Sequence, residues 1–311
     1  MSAETDIKQQ VKDFYDQVGW QEVSQGVYQN AHYEDLRPVS RAYIQRCHLR
    51  LLRHLRPSGR FLLDAGSGPI QYPAYLEYSQ GYQRRVCADI SITALKEARR
   101  RIGGHGLYVV CDIANLPFKE EVFEGIVSLH TIHHLPEDEH LQAYGELYRL
   151  LSPGCAACVV NGWPSSRLMR WAEPLVHLSR LLRGILRRLS GRRRPELEAD
   201  GASCTSHAAP RTQHSARGAS HVAPDTPKGT FTSRHDAAWV RGEVGGRVPL
   251  EIWVWRSVSV RFLRNFIHSR LAGHTWLALL YWLEERFPRW LGENGQYPLI
   301  VIRKGEYGLE R

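Results

Sequence analysis

The chain has 311 residues, 43% of them hydrophobic and 23% charged, a balance that allows a sizeable core and excludes whole-chain disorder. Lysine and arginine outnumber aspartate and glutamate by 41 to 32, for a formal net charge of +9, and nine arginines against a single acid fall between Ser165 and Arg194. The longest apolar run, Trp276 to Leu283, is far short of the ~18 residues a membrane span needs, and the start MSAETDIKQQ carries no secretory pattern.

Taken in chain order, residues 1–56 predict an N-terminal helical cap. Aromatic residues gather at Phe14, Tyr15, Trp20, Tyr28 and Tyr33, and Tyr43, Cys47, Leu51 and Leu55 recur at helical spacing. Residues 57–164 alternate short apolar runs with amphipathic ones. Strands are expected at 61–65, 85–89, 107–111, 124–130 and 155–161, with helices near 73–79, 92–102 and 137–151. Such alternation implies βαβ units and a parallel sheet covered on both faces.

Residues 165–194 predict a basic amphipathic helical insertion, in which Leu168, Trp171, Leu175, Leu178, Leu182, Ile185 and Leu189 recur at steps of three and four. Pro174 is expected to divide it. Residues 195–230 hold almost no large apolar side chains, which predicts a disordered linker. Order is expected again over 231–311, with a strand at 250–260, a helix at 276–290 and a last strand at 297–303. The six cysteines lie mostly in apolar, strand-like runs, which points to buried thiols in a reducing cytoplasm. Cys155-x-x-Cys158 has no second pair, so no metal site is expected.

Five motifs carry chemistry. FLLDAGSGPIQ (61–71) brings a strand through Asp64 into Gly66 and Gly68, where missing side chains let a ligand approach the backbone. VCADIS (86–91) places Asp89 at the end of the second strand, where an acid can accept two ribose hydroxyls, although a plain exposed loop acid reads equally well there. CDIANLPF (111–118) places Asp112 after the third strand. IVSLHTIHHLP (126–136) sets His130, His133 and His134 after the fourth, and LYRLLSPG (147–154) leads into the fifth.

In this order and spacing the five motifs resemble the class I S-adenosylmethionine-dependent methyltransferases, in particular the small-molecule branch with the ubiquinone- and menaquinone-type enzymes. The resemblance implies a Rossmann-like, doubly wound, mostly parallel seven-stranded sheet with an antiparallel last strand and an insertion after strand five. It implies S-adenosyl-L-methionine as cofactor. Asp64 with the Gly66–Gly68 loop would hold its methionine end and Asp89 its ribose. Ile90 would pack on the adenine, Asp112 with Ile113 would meet the adenine amino group, and His130 would line the cleft. One departure stands out: the family loop is usually Gly-x-Gly-x-Gly, and Ile70 occupies the third glycine.

The acceptor is expected to be a small or lipid-linked molecule. A positioned base is needed for an oxygen or carbon acceptor; His133 and His134 are the nearest candidates, with a helix-capping or packing role as their other reading and His235 a more distant alternative. Tyr28, Tyr33, Arg37, Trp239, Trp253, Trp255 and Arg256 are expected around the acceptor pocket. The basic insertion reads three ways: a lid, a peripheral membrane contact through 165–194, or a nucleic-acid patch, the last disfavoured because the remaining chain is close to neutral. A nicotinamide-dependent oxidoreductase is the first rival, opposed by Gln71 in place of a third fingerprint glycine. A non-catalytic methyltransferase-like binding protein is the second. Oligomeric state is left open.

Overall fold

A computed structural model describes residues 3–24, 27–30, 34–174 and 230–305. Helix α1 (Ala3–Phe14) continues into one π-helical turn (Tyr15–Gly19), followed by a two-stranded antiparallel ribbon, β1 (Glu22–Ser24) and β2 (Val27–Tyr28), then α2 (Pro38–His48). The cap is therefore not all helical as expected. Its ribbon is held by the backbone bond from Gln29 N–H to Gln21 O (2.7 Å), a pairing that helical periodicity does not report.

The main sheet comprises β3 (Gly59–Ala65), β4 (Tyr82–Asp89), β5 (Gly106–Val110), β6 (Phe123–Leu129), β7 (Leu151–Val160), β8 (Leu250–Arg256) and β9 (Tyr297–Arg303). Their order is β5-β4-β3-β6-β7-β9-β8. The first five are parallel, and β9 runs antiparallel to both neighbours. This is the seven-stranded, mostly parallel sheet with an antiparallel last strand that the resemblance implies. Its inner strands are almost continuously apolar because both faces are covered. Alternate residues feed two cores: Leu63, Ala65, Ile126 and Val159 on one face, Leu62, Cys87, Val127 and Cys158 on the other. Cys155 and Cys158 are free, buried strand thiols.

Helices α3 (Ile92–Ile102) and α4 (His140–Leu150) follow β4 and β6, and residues 167–174 form α5 after β7. The rest of the insertion, nearly all of the linker expected at 195–230, and Tyr33 lie outside the described residues. A short turn, α6 (Ala237–Trp239), leads toward β8. The strand expected to reach 260 stops at Arg256, because Ser259 caps a new helix, α7 (Val260–Phe266), by accepting the Phe262 N–H at 3.1 Å. The helix expected at 276–290 is two, α8 (Gly273–Arg286) and α9 (Pro288–Asn294). Pro288 cannot donate into a continuing helix, so the chain breaks at Phe287. No described helix is long and apolar enough to cross a membrane.

After β3 the chain builds outward through β4 and β5, then returns to place β6 on the other side of β3. That reversal opens a crevice at the carboxyl ends of β3 and β6, where ligands bind in such sheets.

Candidate functional site

One hollow at this carboxyl edge, about 420 Å³ including its open mouth, is lined by Gly66, Asp89, Ile90, Asp112, Ile113 and His134, with Lys8 and Val11 of α1 across from them. Asp89 ends β4, and its two oxygens accept backbone N–H groups from Gly68 and Ser91, each at 2.9 Å. A carboxylate offers about four acceptor positions, so roughly two remain for a ligand. Burial raises Asp89 to about 6, in part opposed by those two N–H groups. Such a site gains from further donors. Asp112 accepts the Ala114 N–H at 2.9 Å and pairs with Lys8, which also pairs with Glu139.

The glycines explain themselves. Gly66 (φ +75°) passes so close to Thr131 that an added Cβ would lie 2.1 Å from it. Gly68 (φ +55°) lies under Trp20, whose ring stacks on Tyr15 at 4.7 Å. Ile70 keeps the backbone a third glycine would supply: its φ is +57°, and it is fully buried. Left-handed backbone in a β-branched residue costs of order 1–3 kcal/mol and persists only where packing over-determines it.

Asp64 does not join the hollow. It is buried, accepts from Arg85 Nε at 3.1 Å and pairs with the same guanidinium through Nη2. Asp64 was expected beside the ligand with Asp89 and Asp112; it is absent from the lining of the hollow, and its carboxylate is committed to Arg85.

The three histidines separate. His134 alone lines the hollow, and both ring nitrogens are engaged: Nε2 with the Tyr15 hydroxyl and Nδ1 with Phe231 O, each at 2.8 Å. Burial lowers it to about 4. His133 turns into a second hollow, about 300 Å³, with Asn161, Tyr144, Arg234, His235 and Trp239. Its Nδ1 lies 3.2 Å from Asn161 Oδ1, and burial followed by its neighbour His134 holds it well below the usual imidazole range. His130, at φ +56°, packs edge-on against Trp255 (5.2 Å) and Tyr297 (5.7 Å). Burial, then Arg256, lowers it to about 3.

Around His130 lies a cluster that sequence reasoning located only in part. Glu34 and Arg256 form a buried ion pair. His48 approaches Glu34 at 3.7 Å and stacks on Trp255 at 5.2 Å. The Arg256 guanidinium lies 4.5 Å above the Tyr297 ring. Burial alone would raise Glu34, but Arg256 and His48 reverse it and hold the carboxyl at about 2. Trp255 and Arg256 were expected near an acceptor pocket; Glu34, His48 and Tyr297 were missed, since nothing local marks an ion pair spanning more than two hundred residues. Arg37, also expected there, instead clamps Asp35 (2.7 Å) and the carbonyls of Leu263 (2.9 Å) and Ile267 (3.0 Å). His235 stacks on Trp239 at 3.5 Å. Among the described residues no cluster of ligating side chains could hold a metal.

The methyltransferase-domain family matches residues 63–159. No curated protein matches the chain. Three similar solved structures illustrate the likeness. One is a Haloferax volcanii complex with the Trm112 methyltransferase activator, at 19% identity and TM-score 0.34 over 40% of this chain and 54% of that one. The second is the 4+2 cyclase SpnF, at 13% identity and TM-score 0.47 over 96% and 97%. The third is Haemonchus contortus phosphoethanolamine N-methyltransferase 2 with S-adenosyl-L-methionine, at 13% identity and TM-score 0.44 over 84% and 53%. The chain thus spans about half the length of the first and third.

Proposed function

We propose that this chain, whose residues 63–159 match the methyltransferase-domain family, is a class I S-adenosylmethionine-dependent enzyme that moves a methyl group from S-adenosyl-L-methionine to O, N or C of a small or lipid-like molecule. The sulfonium supplies an electrophilic methyl group and a neutral thioether leaving group. The chain's own work is to orient donor and acceptor in line and keep water out.

The observation that carries this reading is the pairing of Asp89–Ile90 with Asp112–Ile113 around one hollow, at the tips of adjacent strands. In this reading the free acceptor positions of Asp89 take ribose hydroxyls. Asp112 takes the adenine amino group once Lys8 yields, and Ile90 and Ile113 flank the ring. Gly66 and Gly68 give the methionine end access to backbone. Asp64 contributes from behind, by holding Arg85, which also donates to Tyr75 O. Acids at both strand tips would repel a pyrophosphate, which favours this donor over a nicotinamide dinucleotide.

The acceptor is placed on the His130 side, toward the second hollow. His133 is the better base candidate there, because both nitrogens of His134 already hold partners. Its depressed basicity keeps it neutral at pH 7 and ready to accept a proton, at some loss of driving force.

Calorimetric titration should show binding of S-adenosyl-L-methionine and none of NADH; the reverse result removes the reading. A screen of cell extracts with labelled donor, sorted into lipid and aqueous fractions, identifies the acceptor class. Donor binding without transfer to either fraction would favour a binding protein. His133→Ala should lower turnover by about 10²–10⁴ while donor affinity holds; unchanged turnover excludes His133 as base.

A further inference from the structure

We propose that the exposed aromatic side of α8 and α9 seats this protein on an anionic lipid surface. Helix α8 buries Gly273, Leu277, Tyr281 and Glu284 against the body of the protein, with Glu284 accepting from the Tyr43 hydroxyl of α2 at 2.7 Å. At 100° per residue, Leu279, Trp282 and Arg286 fall on the opposite side, with Trp276 on its flank. Trp276, Trp282 and Trp290 each leave more than half of their surface exposed, and Leu271, Leu279 and Phe287 are exposed with them. Soluble surfaces scatter large apolar residues singly; a run this dense marks a contact site.

The charge around it selects the partner. Arg270 and Arg286 are exposed, whereas the acids of the same stretch are occupied: Glu284 and Glu285 by Arg50, Glu293 by Arg241. The cationic character continues in the neighbouring element. The Ser166 hydroxyl, which caps α5 through the Met169 N–H (3.1 Å), donates to Asn294 O at the end of α9 at 2.8 Å. From there α5 carries exposed Arg167 and Arg170, one exposed acid, Glu173, and a Trp171 that is 79% exposed. Tryptophan and phenylalanine at headgroup depth, flanked by arginine, suit an interface with anionic lipid. A second copy would bring a surface of the same net positive charge against this one. A nucleic acid would use the arginines but leave most of the apolar area without a partner.

This surface does not depend on the methyl-transfer reading, although it would bring a lipid-like acceptor to the enzyme. Flotation of the full chain with phosphatidylcholine vesicles, with and without phosphatidylglycerol, tests it. The wild type should float only with the anionic vesicles, and less so at high salt. The triple variant Trp276→Ser, Trp282→Ser, Phe287→Ser should bind them at least about tenfold more weakly, with melting temperature and donor affinity unchanged. Any of four results overturns the proposal: no flotation of the wild type, equal flotation of the triple variant, a wild-type dimer that the triple variant splits, or displacement from vesicles by an oligonucleotide. Loss of donor binding by a wild type that still floats would sink the methyl-transfer reading and leave this one standing.

Discussion

The two sides of the sheet's carboxyl edge are built by different means. On the β4–β5 side, the hollow is made from strand ends and backbone: Asp89 and Asp112 follow consecutive strands, and Gly68 lends its N–H to Asp89. On the His130 side, Glu34, His48, Arg256 and Tyr297 come from the cap, β8 and β9 and are held by a buried ion pair and ring stacking. The first arrangement follows from one βα unit after another. The second exists only when distant elements dock. It follows that the first should govern ligand affinity and the second stability and acceptor choice.

Breaking the second side should give the largest effect. Arg256→Met leaves Glu34 buried without its main partner, and unfolding free energy should fall by about 3–5 kcal/mol in chemical denaturation. Donor affinity of the folded fraction should change little; an equal loss of affinity would erase the division drawn here. On the first side, Asp89→Ala removes hydrogen bonds to a charged group worth about 1.5–3 kcal/mol each, so two ribose bonds lost should weaken donor binding about a hundredfold or more by calorimetry. Its effect on unfolding should be the smaller of the two variants.

Acidity sharpens the contrast. Asp89 sits at about 6, above its ordinary 3.8, so the native state holds that proton more tightly than the unfolded chain. The resulting stabilisation is complete below pH 3.8 and is lost as pH rises through about 6. Donor binding should run the other way, weakening by up to about tenfold per pH unit below 6 as the carboxylate is protonated. Asp89→Asn should flatten both slopes; slopes that persist would assign the titration elsewhere. The smallest effect is expected at the lid of the hollow. Lys8→Ala frees Asp112 from a partly exposed pair worth under about 1 kcal/mol, and donor affinity should rise a few-fold. A fall would mean that Lys8 touches the donor itself.

The sequence was a good guide where structure is local. The parallel strands, the helix α3 and the last strand at 297–303 were legible because hydrophobic period is a short-range signal. Asp89, Ile90, Asp112 and Ile113 share one hollow because each follows a strand end of the same parallel set. That Asp64 is taken up by Arg85 was not legible, because that partner stands on the next strand. His133 and His134 are adjacent in sequence, yet a single 3₁₀ turn sends their rings into different hollows.

What the chain determined by itself was the sheet, its crevice and the acids at the strand tips, since period-two and helical patterns act within a few residues. What only the tertiary structure decided was the cap over the hollow, the Glu34–Arg256 pair beside His130 and the bare aromatic side of α8. Each depends on which distant surfaces meet, and burial of charge or exposure of tryptophan is a property of that meeting, not of the residues taken one at a time.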